Sequence, residues 1–257
     1  MSAANRPRTA VAALLAGLLL LAGGANPALS AELKIFGSRV TKVVVAELAP
    51  QFEQATGFKP VVVADVAAVM KRRIEAGEPF DLAVLVNFQT DALIKSGQLL
   101  ADSRTDLMRA GIGVAVKRGA AKPDIGTVEA FKRTLLAAKS ITYLKEGGST
   151  IHLNKIFAEL GIADALKAKT VQPMTESVSE MVADGEVDLA IIVIPNIMSV
   201  PGVELVGPLP AELNSYVTFV AGVSTQSPNQ QAARELIKLL KSPAAAAVIK
   251  AKGMEPG

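Results

Sequence analysis

The sequence predicts an α/β fold with a mainly parallel sheet. Short apolar runs, which are typical of strands, alternate with segments whose apolar residues recur every three or four positions, which are typical of helices. Glycines follow several of these segments, as they do at helix ends. This alternation is the pattern of strand–helix units. The 227 residues after position 30 are enough for one large domain or two ordinary ones.

The first strand is predicted at residues 33–36. Residues 41–55 predict a helix, because Val44, Leu48 and Phe52 are spaced four apart and share one face. A second helix is predicted at residues 66–76 on the same grounds. Further strands are predicted at residues 60–64, 82–86, 112–116, 141–144, 189–194 and 216–223.

Two helices are predicted near the C-terminus. Ser227-Pro228 and Ser242-Pro243 each offer a hydroxyl for the N-cap and a proline for the first helical position. The second of these helices, which is rich in alanine, is expected to end at Gly253.

Residues 1–30 have the layout of a cleavable secretory signal. Arg6 and Arg8 precede an apolar run at residues 11–22, and small residues follow in Ala28-Leu29-Ser30. The run is shorter than the ~20 residues that a membrane-spanning helix needs. We therefore expect a periplasmic protein that begins near Ala31, the alternative being an uncleaved anchor. Lipid attachment is excluded because the chain has no Cys.

The composition excludes several classes of function. The absence of Cys excludes disulfides and thiolate chemistry. Removing Arg6 and Arg8 lowers the formal net charge from +3 to +1, and the chain has no Trp and only two Tyr. We therefore expect no nucleic-acid partner, since neither a basic stripe nor an aromatic platform is present.

Candidate ligand contacts follow predicted strands or open predicted helices. In open α/β sheets, ligands bind at such places because the N–H groups at a helix start favour an anion. Taken singly, Ser, Thr and Asp before a helix are more often caps than ligand contacts. The Gly147-Gly148 pair is more specific, since a cap needs no double glycine. The four places are Gly37-Ser38-Arg39, Ala64-Asp65 with Ala67-Ala68, residues 146–150, and Thr175-Glu176-Ser177.

The chain resembles the periplasmic solute-binding proteins of ABC importers, in the branch similar to molybdate-binding proteins. The resemblance covers nearly all of the mature chain. It is found in the segments Leu33-Lys34-Ile35-Phe36, Phe52-Glu53-Gln54-Ala55-Thr56-Gly57, Ile74-Glu75-Ala76-Gly77-Glu78-Pro79-Phe80-Asp81-Leu82, Gly147-Gly148-Ser149-Thr150 and Val200-Pro201-Gly202-Val203-Glu204-Leu205-Val206-Gly207-Pro208-Leu209-Pro210.

The resemblance implies the type II periplasmic binding protein fold, with two doubly wound α/β lobes and a ligand cleft between them. We expect residues 31–113 and 217–257 to form lobe 1 and residues 114–216 to form lobe 2. The implied partners are a small anion and an ABC transporter permease, and we expect a monomer. By matching position, the ligand-binding residues are Gly37, Ser38, Arg39, Val40, Asp65, Ala67, Ala68, Gly148, Ser149, Thr150, Thr175, Glu176, Ser177 and Val193.

The sequence departs from the molybdate pattern, in which serine hydroxyls from the first two loops and a tyrosine from a later strand bind the ligand. Val40, Ala67-Ala68 and Val193 stand at the matching places, and Ser38 is two positions early. Arg39 is an addition, and a guanidinium matches a planar carboxylate bidentately. We therefore expect a small anion, either a molybdate-like oxyanion or a carboxylate bound by Arg39. The alternative is that Arg39 points to solvent or pairs with Asp65.

The remaining charged residues favour plainer interpretations. Lys71-Arg72-Arg73 is expected to be a solvated surface, and the only histidine, His152, to lie at a polar rim or cap. A lone histidine makes a poor metal site, so we expect no metal and no cofactor. We expect no enzyme, although Asp65 and Glu176 as paired acids leave a secreted hydrolase as an alternative. A periplasmic sensor subunit is a second alternative.

Overall fold

The structure is a computed structural model that describes Met1 and residues 31–257. The predicted signal segment therefore lies, Met1 apart, outside the described residues. The strands are β1 Ala31–Gly37, β2 Phe58–Ala64, β3 Leu82–Val86, β4 Thr105–Lys117, β5 Ile141–Thr142, β6 Thr170–Val171, β7 Leu189–Val193, β8 Val203–Pro208, β9 Tyr216–Val223 and β10 Glu255–Pro256. The helices are α1 Arg39–Thr56, α2 Ala67–Glu75, α3 Asn87–Lys95, α4 Val128–Ala137, α5 Thr150–Glu159, α6 Ala163–Lys167, α7 Val178–Asp184, α8 Ile194–Met198, α9 Gln230–Leu240 and α10 Pro243–Ala251.

The α/β class is confirmed, but the sheet is mixed and the prediction of a mainly parallel sheet is wrong. Its strand order is β2-β1-β3-β9-β4-β7-β5-β6, with β8 and β10 pairing with β4. Strand β1 is parallel to β2 and β3, and β5 is parallel to β6 and β7. Strands β4 and β9 are antiparallel to each of their neighbours in this order. These two long strands bring the antiparallel pairs into the sheet.

Strand β4 passes from one part of the sheet to the other. Its residues 105–111 pair with β9, whereas residues 112–116 pair with β7. The buried apolar residues form two clusters, and the smaller one collects Ile112, Val114 and Val116 with α4 and α5. The proposed lobe boundaries at residues 113 and 217 stay a prediction, because the larger cluster contains residues from both sides of them.

One predicted helix start is wrong. Helix α9 begins at Gln230 with Asn229 as its N-cap, not at Pro228. The Ser227 hydroxyl instead donates to Asp81 Oδ1 at 2.6 Å and accepts from the Asn229 N–H at 2.9 Å. By contrast, Ser242 caps α10 as predicted, accepting from the Ala245 N–H at 3.2 Å. Within the described residues, no helix has the length and apolar character of a membrane span.

Candidate functional site

A small cavity of about 40 Å³ lies where the helices α1, α2, α3, α5 and α8 begin. The N-cap residue of each of these helices lines it: Ser38, Val66, Val86, Ser149 and Val193. The remaining lining residues are Val40, Ala67, Leu144, Gly147, Gly148, Glu176, Ile192, Asn196, Val217 and Phe219. Four of the helices have nine or more residues, so the positive ends of four full helix dipoles point at one cavity.

Four of the five helices that begin at the cavity have no side chain that caps them from the N-cap position. Ser149 before α5 is of the expected residue type yet makes no capping hydrogen bond, whereas at the start of α1 the Thr41 hydroxyl accepts the Ser38 N–H at 3.4 Å, as in a capping box. Two helices that begin elsewhere have a side-chain cap: the Thr127 hydroxyl accepts from the Ala130 N–H at 3.1 Å, and Ser242 caps α10. The Arg39 N–H of α1 donates to Glu176 Oε2 and the Phe88 N–H of α3 donates to Asn87 Oδ1, so it is mainly the starts of the other helices that favour an anion at the cavity.

Two buried polar atoms at the cavity have no partner among the described residues. These are Oγ of Ser38, a residue that is 7% exposed, and Oδ1 of Asn196, a residue that is 5% exposed. An unpaired buried polar atom costs roughly 1–3 kcal/mol. A ligand that hydrogen-bonds to both atoms would remove that cost.

Glu176 places a carboxyl group at the same cavity. Its Oε2 accepts the backbone N–H of Arg39 at 2.8 Å. Burial raises the pKa of Glu176 to about 7, because desolvation outweighs the lowering by the Arg39 N–H and by its positive charge. The negative charges of Asp65 and Glu180 raise it further. Glu176 is therefore the group at this cavity that gains and loses a proton near neutral pH.

Arg39 is held by residues on the far side of the cleft. Its Nη2 donates to the backbone oxygen of Glu176 at 2.7 Å, and its Nη1 forms an ion pair with Oε1 of Glu180. The partner considered from the sequence, Asp65, instead accepts the Val66 N–H at 2.7 Å through Oδ1. The Arg39 side chain lies in an outer depression shared with Asp65, and Glu176 lines both this depression and the inner cavity. The hypothesis that Arg39 binds a carboxylate therefore remains a proposal, with its guanidinium already occupied here.

The site residues that the sequence predicts divide into three groups. Seven line the inner cavity: Ser38, Val40, Ala67, Gly148, Ser149, Glu176 and Val193. Arg39, Asp65, Thr175 and Ser177 line the outer depression, where the Thr175 and Ser177 hydroxyls lie 3.0 Å apart. Gly37, Ala68 and Thr150 line neither. Thr150 shapes the glycine loop instead, donating to the Leu144 oxygen at 2.7 Å and accepting from the Gly147 N–H at 2.9 Å.

The charged residues that the sequence did not assign to the site have partners elsewhere in the protein. His152 Nε2 lies 2.8 Å from the backbone oxygen of Leu213. Arg72 pairs with Glu146 at 2.6 Å, with about half of its side chain exposed. Among the described residues, no group of three His, Cys, Asp or Glu side chains is placed to hold a metal ion.

Sequence reasoning missed one polar residue of the cavity, Asn196. It follows β7 within Ile194–Met198, the short helix that Val193 precedes. The rule that selected the other loops, polar residues just after a strand, would have found it if the search had continued past Val193. Among the missed apolar lining residues, Val217 and Phe219 have no local signal, because they lie within β9 and not in a loop after a strand.

Comparison with known proteins places the chain in a family. Residues 33–255 match the family model for bacterial extracellular solute-binding proteins. The chain is 34% identical over 260 residues to an aconitate isomerase of Pseudomonas sp., covering 97% of both chains. It is 28% identical over 257 residues to a molybdate-binding protein of Azotobacter vinelandii, covering 95% of both.

Solved structures share the fold. The periplasmic molybdate-binding protein of Azotobacter vinelandii matches with a TM-score of 0.73 and 20% identity, over 86% of this chain and 98% of that one. The sulfate-binding protein of Mycobacterium tuberculosis matches with a TM-score of 0.74 and 15% identity, over 88% of this chain and 87% of that one. The predicted fold, two α/β lobes of the type II periplasmic binding protein class, is confirmed, and the chain belongs to the family of bacterial extracellular solute-binding proteins.

Proposed function

We propose that this periplasmic chain binds a small polycarboxylate between its lobes and isomerises it by moving one proton, with Glu176 as the group that takes and returns that proton. The observation that supports this best is the position of Glu176. Its carboxyl group, with a pKa raised to about 7 by burial, lines a cavity on which the N-termini of four helices converge.

The chemistry of the lining favours a carboxylate over a metal oxyanion. Apolar Val40, Ala67 and Val193 stand where the molybdate-binding pattern has hydroxyls, and all three line the cavity. A carboxylate ligand has a carbon skeleton to pack against them, whereas a tetrahedral oxyanion does not. The 34% identity with an aconitate isomerase over nearly the whole chain points the same way.

The reaction follows from the structure of aconitate, a propene bearing three carboxyl groups. Ionised Glu176 removes a proton from the methylene carbon, and the electron pair spreads over the three-carbon unit and its carboxylates. Protonated Glu176 then returns the proton to the opposite end carbon. The double bond moves by one position, and because the two ends carry the same groups, the product is aconitate again. Its cis or trans geometry is set by the conformation in which the cleft holds it.

The size of the cavity adds one condition. A volume of about 40 Å³ holds only a few water molecules, fewer than the twelve heavy atoms of a tricarboxylate. We therefore infer that the lobes open to admit the ligand, and that on closure the cavity lining moves apart to hold it while the Arg39–Glu176 contacts at the cavity edge form again. A hinge through β4 is suited to such a movement, because this strand pairs with β9 in its first half and with β7 in its second.

The test is turnover of pure aconitate isomers. The purified protein is mixed with cis-aconitate or with trans-aconitate in deuterated buffer, and proton NMR follows both isomers. We expect both reactions to reach the same mixture, and Glu176→Gln to slow them by about 10² or more. The matched control is Arg72→Ala, whose ion pair with Glu146 lies outside the inner cavity. Stoichiometric binding of aconitate without product would contradict the isomerase.

A second candidate, favoured by the family match and the two-lobed fold, is a binding protein that delivers the same anion to an ABC importer. In this case protonated Glu176 would donate a hydrogen bond to a carboxylate of the ligand, and no product would form. Calorimetry with trans-aconitate and with molybdate tests which anion binds, and the NMR assay separates binding from turnover. A sensor subunit would behave as this second candidate does in both measurements.

A further inference from the structure

We propose that Arg39 is a positioning residue, which fixes Glu176 across the cleft and thereby makes proton transfer depend on lobe closure. This inference rests on the proposed function, because it concerns the same carboxyl group. It replaces direct binding of the ligand by the Arg39 guanidinium, the role that the sequence suggested.

Arg39 holds Glu176 at two points. The backbone N–H of Arg39 donates to the Glu176 carboxyl at 2.8 Å, and Nη2 donates to the Glu176 backbone oxygen at 2.7 Å. One residue thus contacts both the side chain and the main chain of its partner, 137 positions along the sequence. The ion pair between Nη1 and Glu180 Oε1 holds the guanidinium in place. Together these contacts fix both the position and the orientation of the carboxyl group.

The contacts join the two proposed lobes. Arg39 is the first residue of α1, after β1, whereas Glu176 and Glu180 lie just before and within α7. Separating the lobes breaks the hydrogen bonds and the ion pair together, and it exposes the Glu176 carboxyl to water. An open cleft therefore leaves Glu176 free and hydrated, and a closed cleft leaves it buried and oriented.

The guanidinium is poorly placed to bind a ligand in the inner cavity. It lies in the outer depression with Asp65 and Glu180, and two acceptors already engage it. Its positive charge acts on Glu176 together with the negative charges of Asp65 and Glu180. Arg39 lowers the pKa of Glu176, and the two carboxylates raise it.

The experiment measures the titration of Glu176 directly, in the full protein without ligand. Glutamate labelled with carbon-13 at Cδ gives a carboxyl resonance, which Glu176→Gln assigns by its loss. In Arg39→Ala we expect the midpoint to rise by at least about half a pH unit, because the cation is lost while the carboxylates remain. In Glu180→Gln we expect it to fall, because a like charge is lost. Arg39→Lys is expected to lie between the wild type and Arg39→Ala.

Arg72→Ala is the matched control. Arg72 also pairs across the proposed lobe boundary, with Glu146, but none of its contacts reaches Glu176. Its removal is expected to leave the midpoint of Glu176 unchanged. A midpoint that moves equally in Arg39→Ala and Arg72→Ala would assign the effect to lobe closure in general and overturn the specific role of Arg39.

Kinetics give a second readout where the wild type turns over aconitate. A positioning role predicts that Arg39→Ala lowers kcat by about tenfold or more with KM changed less, and shifts the acid limb of the pH–rate profile upwards. A rise in KM alone would assign Arg39 to ligand binding and overturn the inference. If the wild type shows no turnover, the proposed isomerase fails. The inference is then decided by the NMR titration of Glu176 alone, and an unchanged midpoint in Arg39→Ala would overturn it.

Discussion

Gly148 and Val86 meet at the cavity so closely that a Cβ atom on Gly148 would lie 3.0 Å from Val86 Cγ1. The same Cβ would lie 2.7 Å from Cγ1 of Val217. Val86 ends β3 and Val217 lies in β9, whereas Gly148 precedes α5. The proposed lobes therefore close on a residue that has no side chain, and the second glycine of the Gly147-Gly148 pair is explained by close packing and not by a turn.

Gly148→Ala is expected to hinder closure of the cleft. Overpacking of this kind costs about 1–3 kcal/mol, which weakens ligand binding by about fivefold to a hundredfold. The backbone of Gly148 is not among those with positive φ, so alanine brings no conformational strain. Calorimetry with trans-aconitate measures the loss of affinity. Gly207→Ala is the control, because its Cβ would meet Ile125 at an ordinary 3.6 Å. Equal affinities in the two variants would contradict this account of closure.

Ser38→Ala is expected to weaken ligand binding without destabilising the free protein. The Ser38 hydroxyl is buried and has no partner among the described residues, so its removal abolishes an unsatisfied group. A hydrogen bond to a charged ligand is worth roughly 1.5–3 kcal/mol, so affinity should fall by about tenfold to a hundredfold. Urea unfolding of the free protein and calorimetry with trans-aconitate measure the two effects.

Thr150→Val, unlike Ser38→Ala, is expected to destabilise the free protein. Its hydroxyl joins the Leu144 oxygen and the Gly147 N–H, and both would be left unpaired. The variant is expected to lose about 1–3 kcal/mol of unfolding free energy. A Ser38→Ala protein that is destabilised as much as Thr150→Val would mean that Ser38 is a structural cap and not a ligand contact.

The sequence predicts the class of the fold and the loops of the site, because both depend on local patterns. Strand and helix periods place β3 and β9 at their observed bounds, and the loops after strands contain seven of the residues that line the cavity. These signals need no knowledge of distant contacts.

Partners that are distant in the sequence account for what the patterns missed. Ser227 was predicted to cap a helix, but Asp81, which lies 146 positions earlier, takes its hydroxyl. Arg39 was selected as a cation near the ligand, but Glu176 and Glu180 hold it. The raised pKa of Glu176 arises first from burial, which no local pattern encodes. The sequence thus indicates which residues are near the site, and tertiary contacts decide what each one does.

Glu176 is expected to make the protein less stable as the pH rises from about 4.5 to about 7. Its pKa is raised from 4.5 to about 7 by burial in the folded protein, so between these values the folded state holds more protons than the unfolded state. The unfolding free energy therefore falls across this window, by up to about 3 kcal/mol. Glu176→Gln removes the effect and should flatten the profile between pH 5 and pH 8 in urea unfolding.

Glu78→Gln is the control for this profile. The side-chain hydrogen bonds of Arg73 and Lys34 lower the pKa of Glu78 to about 2. Its contribution to stability is therefore present above about pH 4.5 and is lost as the pH falls towards 2. This window lies outside the one assigned to Glu176. A wild-type profile parallel to that of Glu176→Gln between pH 5 and pH 8 would show that Glu176 does not hold its proton in the folded protein.

A thermal-shift panel is expected to separate carboxylates from oxyanions. A ligand that binds only the folded state stabilises it by about 2.7 kcal/mol at a concentration of one hundred times Kd. We expect trans-aconitate and citrate to raise Tm, and more strongly at pH 6 than at pH 8, because neutral Glu176 does not repel an anion. Molybdate, tungstate and sulfate should leave Tm unchanged, since apolar side chains of Val40, Ala67 and Val193 replace the family's hydroxyls. A shift with molybdate and tungstate alone would assign the uncapped helix starts to an oxyanion and remove the carboxylate from the proposal.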